Sequence, residues 1–270
     1  MSPAIDLHVH SCRSHDGSAT VQEWCERAVA LGLRVIGFSE HVDLDETDAC
    51  LEPLDFDAYR AEVEAAQAEF AGRLHVRLGV EVGYMPRIEP VIADWLRDRP
   101  VDYVIGSVHT IFENAGISAE YDALETFARF DLWEAYEEYF ESLWSLVKSG
   151  LFDIVGHFDL IQRYGVHYQK QEIEWGRLYA PIIRSFEGMN LRQMALEINS
   201  SGLRQSPKSC YPDRKLLRLY AELGGHAVTL GSDAHHPEQL AAGLDVAANL
   251  AREFGLRLVD YSCRQAEPLL

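Results

Sequence analysis

Histidines and carboxylates close one apolar run after another along this 270-residue chain. They are His8 and His10, Glu40 and His41, Glu81, His109, His157, Glu197 with Asn199, and Asp233 with His235. His8-x-His10 puts two imidazoles on one side of an extended strand, because alternate residues share a face, and that spacing suits capture of one metal ion. Asp233-Ala-His235-His236 repeats the i, i+2 arrangement late in the chain. A lone H-x-H is equally well explained by two hydrogen-bonded histidines at a strand edge. Glu81 weighs against that reading here. It ends an apolar run, where an unpaired carboxylate is costly to bury, and bridging two cations removes the cost. Imidazole with carboxylate suits zinc, iron or manganese, and the donor types alone do not choose among them.

Such residues act together only if their strands bring them to one place. Seven short, near-continuously apolar runs read as strands of a parallel sheet buried on both faces: 4–10, 35–39, 76–82, 103–107, 154–157, 194–199 and 227–232. Helices fill the intervals. Thr20-x-x-Glu23 is a capping box opening a helix that runs to Leu31, and Gly32 stops it. Residues 57–70, 89–98, 131–149, 173–187, 213–223 and 238–254 have helical periodicity, and 114–126 reads as the one long mobile loop. Alternating strands and helices permit an open sheet or a barrel. In a barrel the C-terminal strand ends converge on one mouth, whereas the outer strands of an open sheet lie too far apart to share a centre. The polar tips therefore predict an α/β fold, a closed or nearly closed (β/α)7 TIM-like barrel, with residues 1–270 as a single domain.

Composition limits the partners. With 43 acidic against 24 basic residues the net charge is −19, which repels nucleic acid over most of the surface. A small anionic substrate is still admitted, because bound divalent cations reverse the local field. The start carries no basic and apolar leader, and no later run of 18 apolar residues could span a membrane, so a cytoplasmic location is expected. Cys12, Cys25, Cys50, Cys210 and Cys263 are scattered and read as reduced thiols, with Cys12 near the candidate ligands but not needed among them. His75, His167 and His226 fall away from the predicted mouth. Tyr136, Tyr139, Phe140, Leu143 and Trp144 follow core spacing on a helix.

Taken in order, Asp6-Leu-His-Val-His10, Ser39-Glu-His41, Gly79-Val-Glu81, Gly106-Ser-Val-His109, Gly156-His157 and Gly231-Ser-Asp233-Ala-His235 resemble the PHP family of metal-dependent phosphoesterases. The segments from Phe152 through Asp159 and Arg163, and from Leu196 to Arg204, resemble its histidinol-phosphatase branch. The resemblance runs from Asp6 to about Val246. It implies a distorted (β/α)7 barrel with two to three divalent ions, zinc, iron or manganese. By position, His8, His10, Glu81 and Asp233 would hold one ion, Glu81, His109 and His157 a second, and Asp16, His41 and His235 a third. His15 stands beside Asp16, and Asp16 fits the family spacing better. A carbamylated-lysine hydrolase is disfavoured, since Lys148, Lys170, Lys208 and Lys215 all lie away from a middle strand end.

Two cations sharing Glu81 would lower the pKa of a water from about 16 toward neutrality, giving hydroxide for in-line attack on phosphorus. Arg163, Arg204 and His236 are the expected phosphate-binding and catalytic side chains, since guanidinium groups complement the charge spread over phosphoryl oxygens. The implied substrate is L-histidinol phosphate, with Glu40, Glu113 and Asp159 as candidates to read its ammonium and imidazole. The competing readings are a phosphoesterase for nucleotides or other small monoesters, and a PHP-like binding module without catalysis.

Overall fold

The computed structural model describes residues 5–45, 54–165 and 173–269. Strands β1 (Ile5–Val9), β2 (Val35–Val42), β3 (His75–Gly83) and β4 (Tyr103–Ser107) are followed by a two-stranded excursion, β5 (Thr110–Ile111) with β6 (Ala115–Gly116). The main sheet resumes with β7 (Ile154–Val155), β8 (Ala195–Asn199) and β9 (Ala227–Gly231). These seven pair in parallel in the order β1-β2-β3-β4-β7-β8-β9. The ring closes where His10 N donates to Ala234 O at 2.9 Å and Ala234 N to His8 O at 3.3 Å. The seven predicted strands are thus the barrel.

The interior is packed solid. The Tyr103 hydroxyl reaches across it to donate to Leu7 O at 2.8 Å and Phe38 O at 3.1 Å. Only glycine leaves room for that ring, because a Cβ at Gly37 or Gly79 would lie 2.2 Å from it. The helices packed outside are α1 (Val21–Leu31), α2 (Phe56–Glu69), α3 (Glu89–Arg97), α4 (Glu120–Arg129), α5 (Leu132–Ser149), α6 (Trp175–Arg192), α7 (Arg214–Glu222) and α8 (Leu244–Glu253). The Thr20–Glu23 capping box and the left-handed Gly32 bound α1 as expected. Each buried Ile, Leu or Val between the layers contributes roughly 1.5–3 kcal/mol, and together they make the barrel a rigid mount. No described helix is long and apolar enough to cross a membrane.

Three expectations are corrected. Residues 114–126 are not one loop, for they contain β6 and most of α4, a helix whose N-cap, Ala119, makes no side-chain cap. The last helix begins at Leu244 rather than at 238, because Gly243 takes a left-handed conformation that separates it from a short 3-10 turn at Pro237–Gln239. Beyond it, β10 (Arg257–Ser262) and β11 (Gln265–Pro268) form an antiparallel hairpin that the sequence reading left out. This hairpin crosses the face opposite the mouth, where Arg264 Nε donates to Asp153 Oδ2 at 2.7 Å and Arg77 Nη2 to Asp260 Oδ2 at 2.7 Å. Because β9 pairs with β10 at that end and meets β1 at the other, the barrel is splayed. Cys50 and His167 lie outside the described residues.

Candidate metal centre

The nine residues expected to ligate metal converge at the C-terminal mouth. His8, His41 and Glu81 lie within β1, β2 and β3, and His10, His109, His157, Asp233 and His235 follow immediately after β1, β4, β7 and β9. Asp16 stands on the loop after β1. Asp233 has φ 54°, a strained backbone that an aspartate tolerates better than most residues and that turns its carboxylate onto the cluster.

Glu81 is at the centre and is buried. One oxygen, Oε2, lies 3.4 Å from His8 Nε2, 3.6 Å from His10 Nε2 and 3.0 Å from His41 Nδ1. The other, Oε1, lies 2.9 Å from His157 Nε2 and 3.3 Å from His109 Nε2, and accepts from Ser107 Oγ at 2.6 Å. Each carboxylate oxygen thus serves a different set of imidazoles, as a bridge between two ions requires. Asp233 Oδ1 approaches His8 and His10 Nε2 at 3.8 and 3.6 Å. Three groups of ligand atoms are each close enough to surround one ion: His8, His10 and Asp233; Glu81, His109 and His157; and His10, His41 and His235. Asp16 faces the last group, 3.1 Å from His235 Nε2 and 3.7 Å from His41 Nε2, while His15 is 4.0 Å from Asp16, with its ring 5.6 Å from that of His41.

The electrostatics point the same way. Burial alone would lower the imidazole of His8, but Glu197, Glu81 and Asp233 hold it well above its ordinary value. His10, equally buried and facing the imidazoles of His41 and His235, is pushed well below. Burial would raise Glu81, yet His8 and His109 keep it well below the usual carboxylate range, and His8 and His10 do the same for Asp233. The surrounding imidazoles therefore favour the ionised form of both carboxylates. Divalent ions would supply that countercharge directly and release the protons. The donor set fits such ions, since His8 Nε2 and His10 Nε2 are both buried without a hydrogen bond and both point at Glu81 and Asp233.

Glu197 was seen in the sequence only as one more polar strand tip; the structure makes it a brace. Its Oε1 lies 2.6 Å from His8 Nδ1, and its Oε2 accepts from His157 N at 2.7 Å and Asn199 Nδ2 at 3.1 Å. Gly231 permits this, because a Cβ there would sit 2.0 Å from Glu197 Oε1. A carboxylate behind a ligating histidine fixes its tautomer and orientation. Glu197→Gln is expected to weaken zinc binding roughly 10- to 100-fold, as read by competition with a chromophoric chelator. Unchanged affinity would mean that His8 needs no such brace.

Arg163, Arg204 and His236 line the same cavity as the cluster, a cleft of about 980 Å³. Arg204 Nη2 is anchored on Ser232 O at 2.8 Å and Asp233 O at 3.3 Å, whereas its Nη1 has no hydrogen-bond partner among the described residues. Arg163 Nη1 donates to Ser118 O at 2.8 Å, and His236 Nδ1 lies 2.9 Å from Ser18 Oγ at the rim. The three carboxylates expected to read the ammonium and imidazole are not placed to do so. Glu40 is buried under the first loop, accepting from Ser11 N at 2.9 Å and Ser14 Oγ at 2.6 Å. Asp159 is buried too, and Glu113 is exposed outside the cavity lining. Among the described residues, the acidic ones that do line it, apart from the cluster, are Asp43, Asp45, Asp122 and Glu125, and Asp45 is paired with Arg87. Cys12 is exposed and belongs to none of the ligand groups, and the exposed His75 and His226 lie away from the cavity.

Comparison with known proteins agrees with this geometry. The PHP domain model matches residues 6–201. A probable histidinol-phosphatase of Deinococcus radiodurans is 33% identical over 99% of this chain and 100% of its own length. The histidinol-phosphatase of Lactococcus lactis is 29% identical, covering 93% of this chain and 91% of that one. A crystal structure of histidinol phosphate phosphatase from Lactococcus lactis, complexed with zinc, L-histidinol and phosphate, superposes with a TM-score of 0.83 at 25% identity, covering 98% of this chain and 100% of that one.

Proposed function

Because the chain belongs to the PHP family, we propose that it is a metal-dependent phosphomonoesterase that hydrolyses L-histidinol phosphate to L-histidinol and phosphate. The observation that carries this reading is Glu81, whose two oxygens face two separate sets of imidazoles at the floor of a cavity that also holds two arginines. His8, His10, Asp233 and Glu81 would hold one divalent ion, and Glu81, His109 and His157 a second. His41, His235 and Asp16 would hold a third, with His10 close enough to join them. Bound there, such ions supply Lewis acidity and lower the pKa of water toward neutrality.

The protein's own groups do the rest. Arg163 and Arg204 rise on the loops after β7 and β8 and bind phosphoryl oxygens as charge-assisted donors. Arg204 is prepared for this, since its carbonyl anchors hold the guanidinium while Nη1 keeps its protons uncommitted. His236 adds a donor at the rim. Ser107 and Glu197 hold Glu81, His8 and His157 in place, so little reorganisation is needed as charge develops. Asp43, Asp122 and Glu125 give the cavity the negative charge that suits an ammonium and an imidazolium. Phosphate release from L-histidinol phosphate, measured beside nucleotides and simple monoesters, before and after chelation and zinc return, tests the proposal. Preference for L-histidinol phosphate that disappears with the metal and returns with it is the expected result. Preference for a nucleotide would replace the substrate, and chelation without effect would remove the metal mechanism.

A further inference from the structure

The two arginines stand on different loops, yet one buried carboxylate touches both loops. Asp159 is fully buried and precedes the 3-10 turn Leu160–Arg163. Its Oδ2 accepts from the Gln162 side chain within that turn and from the backbone N of Asp213 at 2.8 Å. Asp213 ends the loop that leaves β8 and carries Arg204. That loop is closed on itself by Tyr211, whose backbone pairs with Asn199 at 2.7 and 2.9 Å and whose hydroxyl donates to Gln205 Oε1 at 2.8 Å. The other end of the 3-10 turn is fixed as well, with Leu160 N donating to His157 O at 2.9 Å and lying 3.2 Å from the Tyr139 hydroxyl. Asp159 Oδ1 is buried without a hydrogen bond among the described residues. A half-satisfied buried carboxyl group is a poor stabiliser of a fold. Fixing the spacing of two cationic groups around one anion is a use that repays it.

We propose that Asp159 is a positioning residue for phosphate recognition, clamping the turn of Arg163 to the loop of Arg204 so that both guanidinium groups meet one phosphoryl group. This rests on the reading that these arginines bind phosphate, and it is independent of which monoester carries that phosphate. Without the clamp the two loops can drift apart while the metal cluster, held on the strands, stays intact.

The test is calorimetric titration of zinc-loaded protein with inorganic phosphate, beside kcat and KM for L-histidinol phosphate. In Asp159→Ala, phosphate affinity is expected to fall roughly 10- to 100-fold, the scale that follows from misplacing groups by about an ångström. KM should rise by a similar factor with zinc content unchanged. Asp159→Asn, which preserves volume and one acceptor, should fold normally and show a smaller loss of the same kind, and serves if the alanine variant fails to fold. In an Arg163→Ala, Arg204→Ala background, removing Asp159 should change phosphate affinity by less than about twofold, because residues acting through one another are not additive. Unchanged phosphate affinity in a folded Asp159 variant overturns the proposal, as does an equal loss that persists without the arginines. If L-histidinol phosphate is not hydrolysed but phosphate affinity still depends on Asp159 through the arginines, the substrate reading falls and the clamp stands.

Discussion

Glu81→Gln is expected to lose bound metal and activity together, with kcat/KM for L-histidinol phosphate falling on the order of 1,000-fold or more, since a divalent ion is worth several kcal/mol of transition-state stabilisation. The substitution changes neither size nor burial. It replaces one of the two oxygens that face the imidazoles by an amide nitrogen, and it removes the negative charge on which His8, His41, His109 and His157 converge. The Oε2 side touches His8, His10 and His41 and the Oε1 side His109 and His157, so either orientation of the amide spoils one ion's site. Elemental analysis after extensive dialysis should find at least one ion fewer per chain than in the wild type. A fully loaded and fully active variant would contradict the bridging role.

Arg204→Ala should leave the metal in place and still cost roughly 100- to 1,000-fold in kcat/KM, the range found when one preorganised donor to a developing oxyanion is removed. Arg204 has a buried guanidinium nitrogen, Nη1, without a hydrogen-bond partner among the described residues, and its anchors on Ser232 O and Asp233 O hold it over the last metal-ligand loop. A rise in KM together with a fall in kcat would mark binding in both ground and transition states. Wild-type kinetics would take Arg204 out of the reaction. Metal content must be measured on the same sample, because Arg204 braces the backbone of Asp233.

The barrel was legible because parallel strands buried on both faces are almost uninterrupted apolar runs, so a histidine or carboxylate at the tip stands out. Tip residues are also the ones that a closed barrel brings together, so the histidines and carboxylates at the strand ends stood out in one dimension, whereas Asp16, on the loop after β1, was named only through the family resemblance. Side-chain direction was harder to read. Glu40 neighbours His41 on β2, but successive residues of a strand point to opposite faces, so Glu40 ties down the first loop while His41 enters the cluster. Asp159 follows His157 by two, yet the chain has already left the strand for a 3-10 turn and the alternation no longer applies. Asp122 and Glu125 line the cavity from α4, a helix without a side-chain cap that reads as loop in sequence. The β10–β11 hairpin was hidden for a similar reason. Its turn places Cys263 and Arg264 at φ 49° and 62°, where Asn and Gly are the usual signals.

The claim on which all of this depends is that one buried glutamate is shared between two metal ions. Anomalous diffraction from crystals of the zinc-loaded protein tests it most directly. Beside any peak at His41, His235 and Asp16, two anomalous peaks are expected at Glu81, one on each side and each about 2.0–2.2 Å from one of its oxygens, with the imidazoles of His8 and His157 on different ions. A single peak, or none within reach of Glu81, would contradict the account.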